Sequence, residues 1–154
     1  MSLAPRQTQL QVTHSIRYDF TFNTPNANQS DGSIPSATTA ALAAGVLAAG
    51  VQIGTLPPGA VVKTVDAFVD VAFNNGTNNL FSVGLTATGT DFVSGGSLAS
   101  QALVSTTVPI AANATTKAAT AKTGTPIFLS TSQTGTAATA GQASIVVSFH
   151  PPLG

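Results

Sequence analysis

GTLPPGAVVKTVDAFVDVAFNNGTNNLFSVGL, residues 54–85, is the unit around which the chain is organised. From Val61 the apolar side chains fall on alternate positions, Val61, Val65, Ala67, Val69, Val71 and Phe73, with Lys63 as the one interruption. The other parity carries Thr64, Asp66, Phe68, Asp70 and Ala72. Successive side chains of a strand point to opposite faces, so this pattern predicts a strand with one buried and one wetter face. Pro57, Pro58 and Gly59 end whatever precedes it and launch it.

Asn74-Asn75-Gly76-Thr77 then reads as a turn, after which Phe81, Val83 and Leu85 return on alternate positions. A two-residue Asn75-Gly76 hairpin would set Asp70 beside Phe81 and split the returning apolar residues from the buried face. Register follows the buried face, so that turn is disfavoured. A three-residue turn, Asn74-Asn75-Gly76, restores agreement. Val69 then faces Phe81, Ala67 faces Val83 and Val65 faces Leu85, with Gly76 in the left-handed position such loops require. A five-residue loop would satisfy the same parity.

Met1–Gln9 carries Pro5 and one charge and reads as an extended N-terminal arm. Leu10, Val12, His14, Ile16, Tyr18, Phe20 and Phe22 then share one parity, which predicts a strand of about a dozen residues, longer than most. Asn23–Pro35 is a loop by composition. Ser36–Gly50 admits a short Ala/Leu helix capped by Ser36; a loop followed by a strand from about Val46 to Ile53 is preferred, because Gly45, Gly50 and several threonines weaken a helix. Gly89–Ser100 reads as a loop around Gly95-Gly96, Gln101–Ile110 holds a strand, and Ala111–Thr125 is an Ala/Thr-rich loop or hairpin arm. A short strand at Ile127, Leu129 and Thr131 and a final one at Ala143, Ile145, Val147 and Phe149 complete the chain. Six to eight strands spaced by turn signals predict an all-β fold: an antiparallel β-sandwich or jelly-roll-like barrel, one domain over residues 10–154, with the arm 1–9 before it.

Composition narrows the function classes. Of 154 residues only 6% are charged, against about a quarter in an ordinary globular sequence. There is no Glu, and helical surfaces are usually built from Glu, Lys, Arg and Gln. A formal net charge of zero removes the electrostatic basis for binding nucleic acid or an anionic membrane surface. Cys is absent, so there is no disulfide framework. Met1–Val12 lacks the continuous apolar core of a signal peptide, and no stretch approaches the roughly 20 apolar residues of a membrane span. Such a weakly charged surface is either a Thr/Ser/Asn coat or one largely covered in an assembly.

No catalytic, cofactor-binding or metal site is expected, and the chain does not read as an enzyme. Asp66 and Asp70 share a strand face about 13 Å apart, too far for a glycosidase pair. Joining Asp91 to them still leaves a calcium ion short of its roughly six to eight oxygen ligands. His14, in the apolar parity, reads as a half-buried structural residue; His150 lies beside two prolines, and two histidines without Cys or Glu do not complete a zinc site. Ser94-Gly95-Gly96-Ser97 lacks the lysine and helix of a phosphate loop. The N-x-S/T triplets at Asn28, Asn75 and Asn113 are what chance gives in a chain so rich in Asn, Ser and Thr. Phe68, between Asp66 and Asp70 on the wetter face, is either covered by a second layer or available to a partner.

The run IGTLPPGAVVKTVDAFVDVAFNNGTNNLFSVGL, residues 53–85, resembles a pattern in small structural proteins of tailed-bacteriophage heads. That pattern has a Gly-x-Leu-Pro-x-Gly-Ala lead-in, a Val-rich strand, an Ala-Phe-Asn-x-Gly-Thr turn and a short strand ending in Val-Gly. Ala140-Gly141-Gln142-Ala143 followed by Ile145-Val146-Val147 is similar to the last strand of the same group. Pro58 departs from it, standing where Ala is expected. The resemblance implies a capsid decoration or cement protein: a virion structural protein made in the host cytoplasm, bound to the capsid exterior as a homo-oligomer (trimer or dimer). Its partner would be the major capsid protein, and it would carry no cofactor. The arm Met1–Gln9 would reach a neighbouring subunit or the major capsid protein. The alternative is a glycan- or receptor-binding head-fibre or tail module, against which stand the absence of Trp and the apolar parity of Tyr18.

Overall fold

The computed structural model describes residues 13–22, 47–108 and 124–151. The arm expected at 1–9, the start of the first long strand, the loop at 23–35, most of 36–50 and residues 111–123 lie outside them. Among the described residues there are eight strands and no helix: β1 (His14–Thr21), β2 (Val51–Leu56), β3 (Val61–Val71), β4 (Asn78–Gly84), β5 (Val93–Ser97), β6 (Ala102–Thr107), β7 (Thr125–Thr134) and β8 (Gln142–His150).

The pairings are nested. β4 pairs with β5, β3 with β6, β2 with β7 and β1 with β8, all antiparallel, as in one long hairpin with β4–β5 at its tip. Rolling that ribbon up adds the β3–β8 and β4–β7 ladders and gives two four-stranded sheets, β1-β8-β3-β6 and β2-β7-β4-β5. This is the eight-stranded jelly roll, an antiparallel sandwich, and the all-β expectation holds.

The expected hairpin at Asn74–Gly76 is not there. β3 lies between β8 and β6 in one sheet and β4 between β7 and β5 in the other, so residues 72–77 cross between sheets. Gly76 is not among the glycines of positive φ. Val65, Ala67, Val69, Phe81 and Val83 are all buried, as parity required, but in the two sheets that enclose one core. Alternation says which face is buried; it does not say whether two buried faces lie side by side or opposite each other. The crossover is bound by distant loops instead of by its own turn. Phe73 N–H donates to Leu98 O at 3.0 Å and Thr77 N–H to Thr134 O at 3.0 Å. The hairpin tip comes one strand later, in residues 85–92, where Gly89 N–H donates to Thr86 O and the Asp91 carboxylate accepts from Leu85 N–H, both at 2.9 Å.

Other boundaries move for local reasons. Pro57-Pro58-Gly59-Ala60 is a type II turn, closed by Ala60 N–H to Pro57 O at 3.1 Å with Gly59 at φ 73°. Residues 47–49 form a turn, so the strand expected from Val46 begins at Val51. Gly89–Ser100 contains β5 rather than only a loop, because its glycines serve packing: a Cβ on Gly96 would lie 2.3 Å from the Phe81 ring. The strand expected at 127–131 extends to Thr125–Thr134.

Lys63, the one break in the alternation, is the extra residue of a β-bulge: Val62 faces Phe149 and Thr64 faces Ser148. A regular strand would aim Lys63 into the core. The bulge turns it to solvent and puts Val62 inside at 0% exposure, leaving Val61 outside. A second register shift at Asp70 turns Val71 outward as well. The core gathers Phe20, Leu56, Phe81, Ile127, Leu129 and Ile145. Burying each such side chain contributes about 1.5–3 kcal/mol.

Candidate functional site

The outward face of the sheet β1-β8-β3-β6 carries every side chain singled out on the wetter parity of β3. Cross-strand registers arrange it in rows. One row runs Asp19, Ser144, Phe68, Leu103 from β1 to β6; the next runs Arg17, Val146, Asp66, Ser105. The polar end is closed on itself. Arg17 Nε donates to Asp19 Oδ1 at 2.8 Å, Arg17 Nη2 donates to Ser144 Oγ at 3.1 Å, and the Ser144 hydroxyl donates to Asp19 Oδ1. The Ser144 hydrogen bond, then Arg17, hold the Asp19 carboxyl below its ordinary value. Asp66 is likewise engaged, accepting from Thr64 Oγ1 at 3.0 Å and from the Ser105 hydroxyl.

The other end is apolar and open. Phe68 is 44% exposed and its cross-strand partner Leu103 60%. No second layer covers Phe68 among the described residues. A shallow groove of about 200 Å³ beside it is lined by Arg17, Phe68, Asp70, Ser144 and Val146. Leu103 gives no signal in the sequence, flanked as it is by Ala102 and Val104; only the β3–β6 register identifies it as the second half of an apolar pair.

The remaining candidates are dispersed. His14 is exposed, not half-buried as its parity suggested: it stands at the start of β1 and stacks on its cross-strand partner Phe149, ring centroids 5.9 Å apart. His150 ends β8 opposite Val61. Tyr18 turns toward the core, and burial raises its phenol pKa. Asp70 is exposed, while Asp91 holds the tip of the β4–β5 hairpin through Leu85. Asn75 is buried and donates to Gln133 Oε1 at 3.1 Å. Among the described residues no three His, Asp or Glu side chains gather where they could hold a metal ion. What the outer face offers is area: an apolar pair with hydrogen-bonding groups around it.

No family model matches this chain, and no curated protein sequence matches it. Among solved structures it is similar to a chain of the cyanophage Pam1 capsid asymmetric unit, with a TM-score of 0.57 and 15% sequence identity. The likeness covers 99% of this chain and 94% of that one. At that identity what the two share is the fold.

Proposed function

We propose that this protein is a virion structural protein of the decoration or cement type, bound to the outer surface of a phage capsid and stabilising it by bridging subunits. The observation that carries the reading is the whole-length likeness to a chain from a phage capsid asymmetric unit. Because nearly all of both chains is covered, the likeness extends over the sandwich and not over a fragment of it. The resemblance of residues 53–85 to small phage head proteins is a separate line of support from the sequence.

The physics of such a role fits the residues. A clamp needs area, strand edges and extended segments, and it needs no reactive group. Strand addition draws its affinity from backbone hydrogen bonds and tolerates a neutral surface. The open pair Phe68 and Leu103 supplies apolar contact, and the closed Arg17–Asp19–Ser144 set is already neutralised, so covering it strands no lone charge. The major capsid protein is the partner, and the capsid exterior the location.

The test is to band virions of the encoding phage on a density gradient and measure the copy number of this protein by quantitative mass spectrometry. A copy number matching the symmetry of the shell, and capsids that rupture at lower temperature when the protein is withheld, are expected. Removing residues 1–9 should lower occupancy while the domain stays folded. Absence from virions, with binding on a glycan array instead, would overturn the reading in favour of an attachment module.

A further inference from the structure

We infer that a second copy of this chain docks along the outer edge of β6, which pairs with no further strand among the described residues, joining two four-stranded sheets into one of eight strands. Sheet edges expose N–H and C=O groups that proteins guard with charge, proline, glycine kinks or bulges. Three of the four edges here are guarded. β1 carries Arg17 and Asp19, and its Ile16 packs over Gly54 of β2, where an added Cβ would meet it at 2.9 Å. β2 is bulged between Gln52 and Gly54. β5 is five residues long, contains Gly95 at φ 71°, and slips register against β4.

β6 has none of these devices. Ala102–Thr107, sequence ALVSTT, is uncharged, lacks Pro and Gly, and keeps unbroken register with β3. Its backbone is also aimed outward. Val108 N–H donates to Lys63 O at 2.9 Å, which continues the β3–β6 register. Hydrogen-bonded pairs alternate along an antiparallel ladder. Ala102, Val104 and Thr106 therefore turn their backbone groups to β3, and Leu103, Ser105 and Thr107 turn theirs to the open edge. Those groups have no partner among the described residues.

The occupant follows from charge and symmetry. Two identical strands pair antiparallel about a two-fold axis, which sets the residue on the axis against its own copy and every other residue against a partner that repeats the contact in reverse. A charge at the axis would oppose its own copy; β6 bears none, and Ser105 facing its own copy is a small uncharged pair. The formal net charge of zero adds no long-range repulsion between copies. With Ser105 facing Ser105 of the second copy, Leu103 lies opposite Thr107 of the second copy, and the two Phe68–Leu103 pairs flank the joint on one continuous face.

The test uses the free full-length protein, so its outcome is independent of capsid binding. Because the chain has no Cys, Ser105→Cys is a single-site probe. Sedimentation of the wild type should show a concentration-dependent dimer. Ser105→Pro removes an edge N–H without touching the β3 ladder and should weaken dimerisation at least about tenfold. Ser105→Ala, which keeps that N–H, should dimerise like the wild type. Ser105→Cys should cross-link to itself under mild oxidation. Should Ser105→Pro fail to fold, Leu103→Lys, at a site already open to solvent, should weaken the dimer in its place. A wild type that stays monomeric at every concentration, or a Ser105→Pro variant that folds and dimerises unchanged, would overturn the proposal. So would a dimer of the Ser105→Cys variant that does not cross-link, which would place the contact between copies elsewhere.

Discussion

The side chain of Asn74, in the crossover after β3, is bonded to Thr139, in the loop before β8, across 65 residues of chain. Asn74 Nδ2 donates to Thr139 Oγ1 at 2.9 Å, while Asn74 Oδ1 accepts the backbone N–H groups of Thr139 at 2.9 Å and Ala140 at 3.0 Å. One amide thus fixes where the chain leaves one sheet for the other. Asn74→Ala frees two N–H groups that water satisfies in part, so the expected loss is about 1–2 kcal/mol by urea denaturation. Asn78→Ala, exposed at the start of β4, should change stability by less than about 0.5 kcal/mol. Equal losses at the two positions would show that Asn74 is not the tie.

Gly96 faces the Phe81 ring across the β4–β5 ladder. A methyl group there has no room, because the ring atom is 2.3 Å from the Cβ position and Phe81 is itself fully buried. Gly96→Ala should therefore destabilise by about 1–3 kcal/mol through overpacking. Gly95→Ala meets nothing nearer than 3.8 Å but must hold φ 71°, which costs roughly 1–2 kcal/mol of backbone strain. Phe81→Ala should relieve the clash: combined with Gly96→Ala it should cost less than the sum of the single losses. Strict additivity in that cycle would refute the contact.

The same two glycines show where the sequence can be read and where it cannot. Strand faces are legible because burial imposes a two-residue period: Val65, Ala67 and Val69, or Ile145, Val147 and Phe149, need no partner to be assigned. Partners are not legible. Phe81 and Val83 satisfy the same parity beside β3 or across the core from it, and one of the ties that hold the crossover, Asn74 to Thr139, is a long-range contact between two common polar residues. Lys63 reads as a flaw in the alternation and is a bulge, since a bulge is the local way to expel a charge from a buried face. Gly95-Gly96 reads as a loop, because only the Phe81 ring gives Gly96 its reason. On the candidate face Phe68 stands out against its neighbours, whereas Leu103 and the outer edge of β6 acquire meaning only from strand order.

Asp19 makes an acid-dependent contribution on that face. Its folded pKa is lowered, first by the Ser144 hydroxyl and then by Arg17. The folded state therefore favours the carboxylate. Its contribution is present above the ordinary Asp value and is lost as pH falls through the lowered folded value. The side chain is 63% exposed, so solvent keeps the effect small. Carbon-detected NMR titration should place the Asp19 midpoint below that of an unperturbed Asp. Ser144→Ala should raise it further than Arg17→Gln does. A midpoint unmoved by Ser144→Ala would remove the hydroxyl as the leading cause.

Phe68 and Leu103 separate stability from binding. Both stand on the outward face, so replacing them removes little buried area: Phe68→Ser and Leu103→Ser should each cost about 1 kcal/mol or less. Ile145→Ala, at a site with 0% exposure on the opposite face of the same sheet, should cost about 2–5 kcal/mol. Occupancy on capsids should follow the reverse order at a temperature where all three variants stay folded. The two outer substitutions should reduce it several-fold, whereas Ile145→Ala should leave it near the wild-type level. If occupancy tracked unfolding free energy across the three variants, the outer pair would be ordinary surface, and the apolar face would have no part in docking.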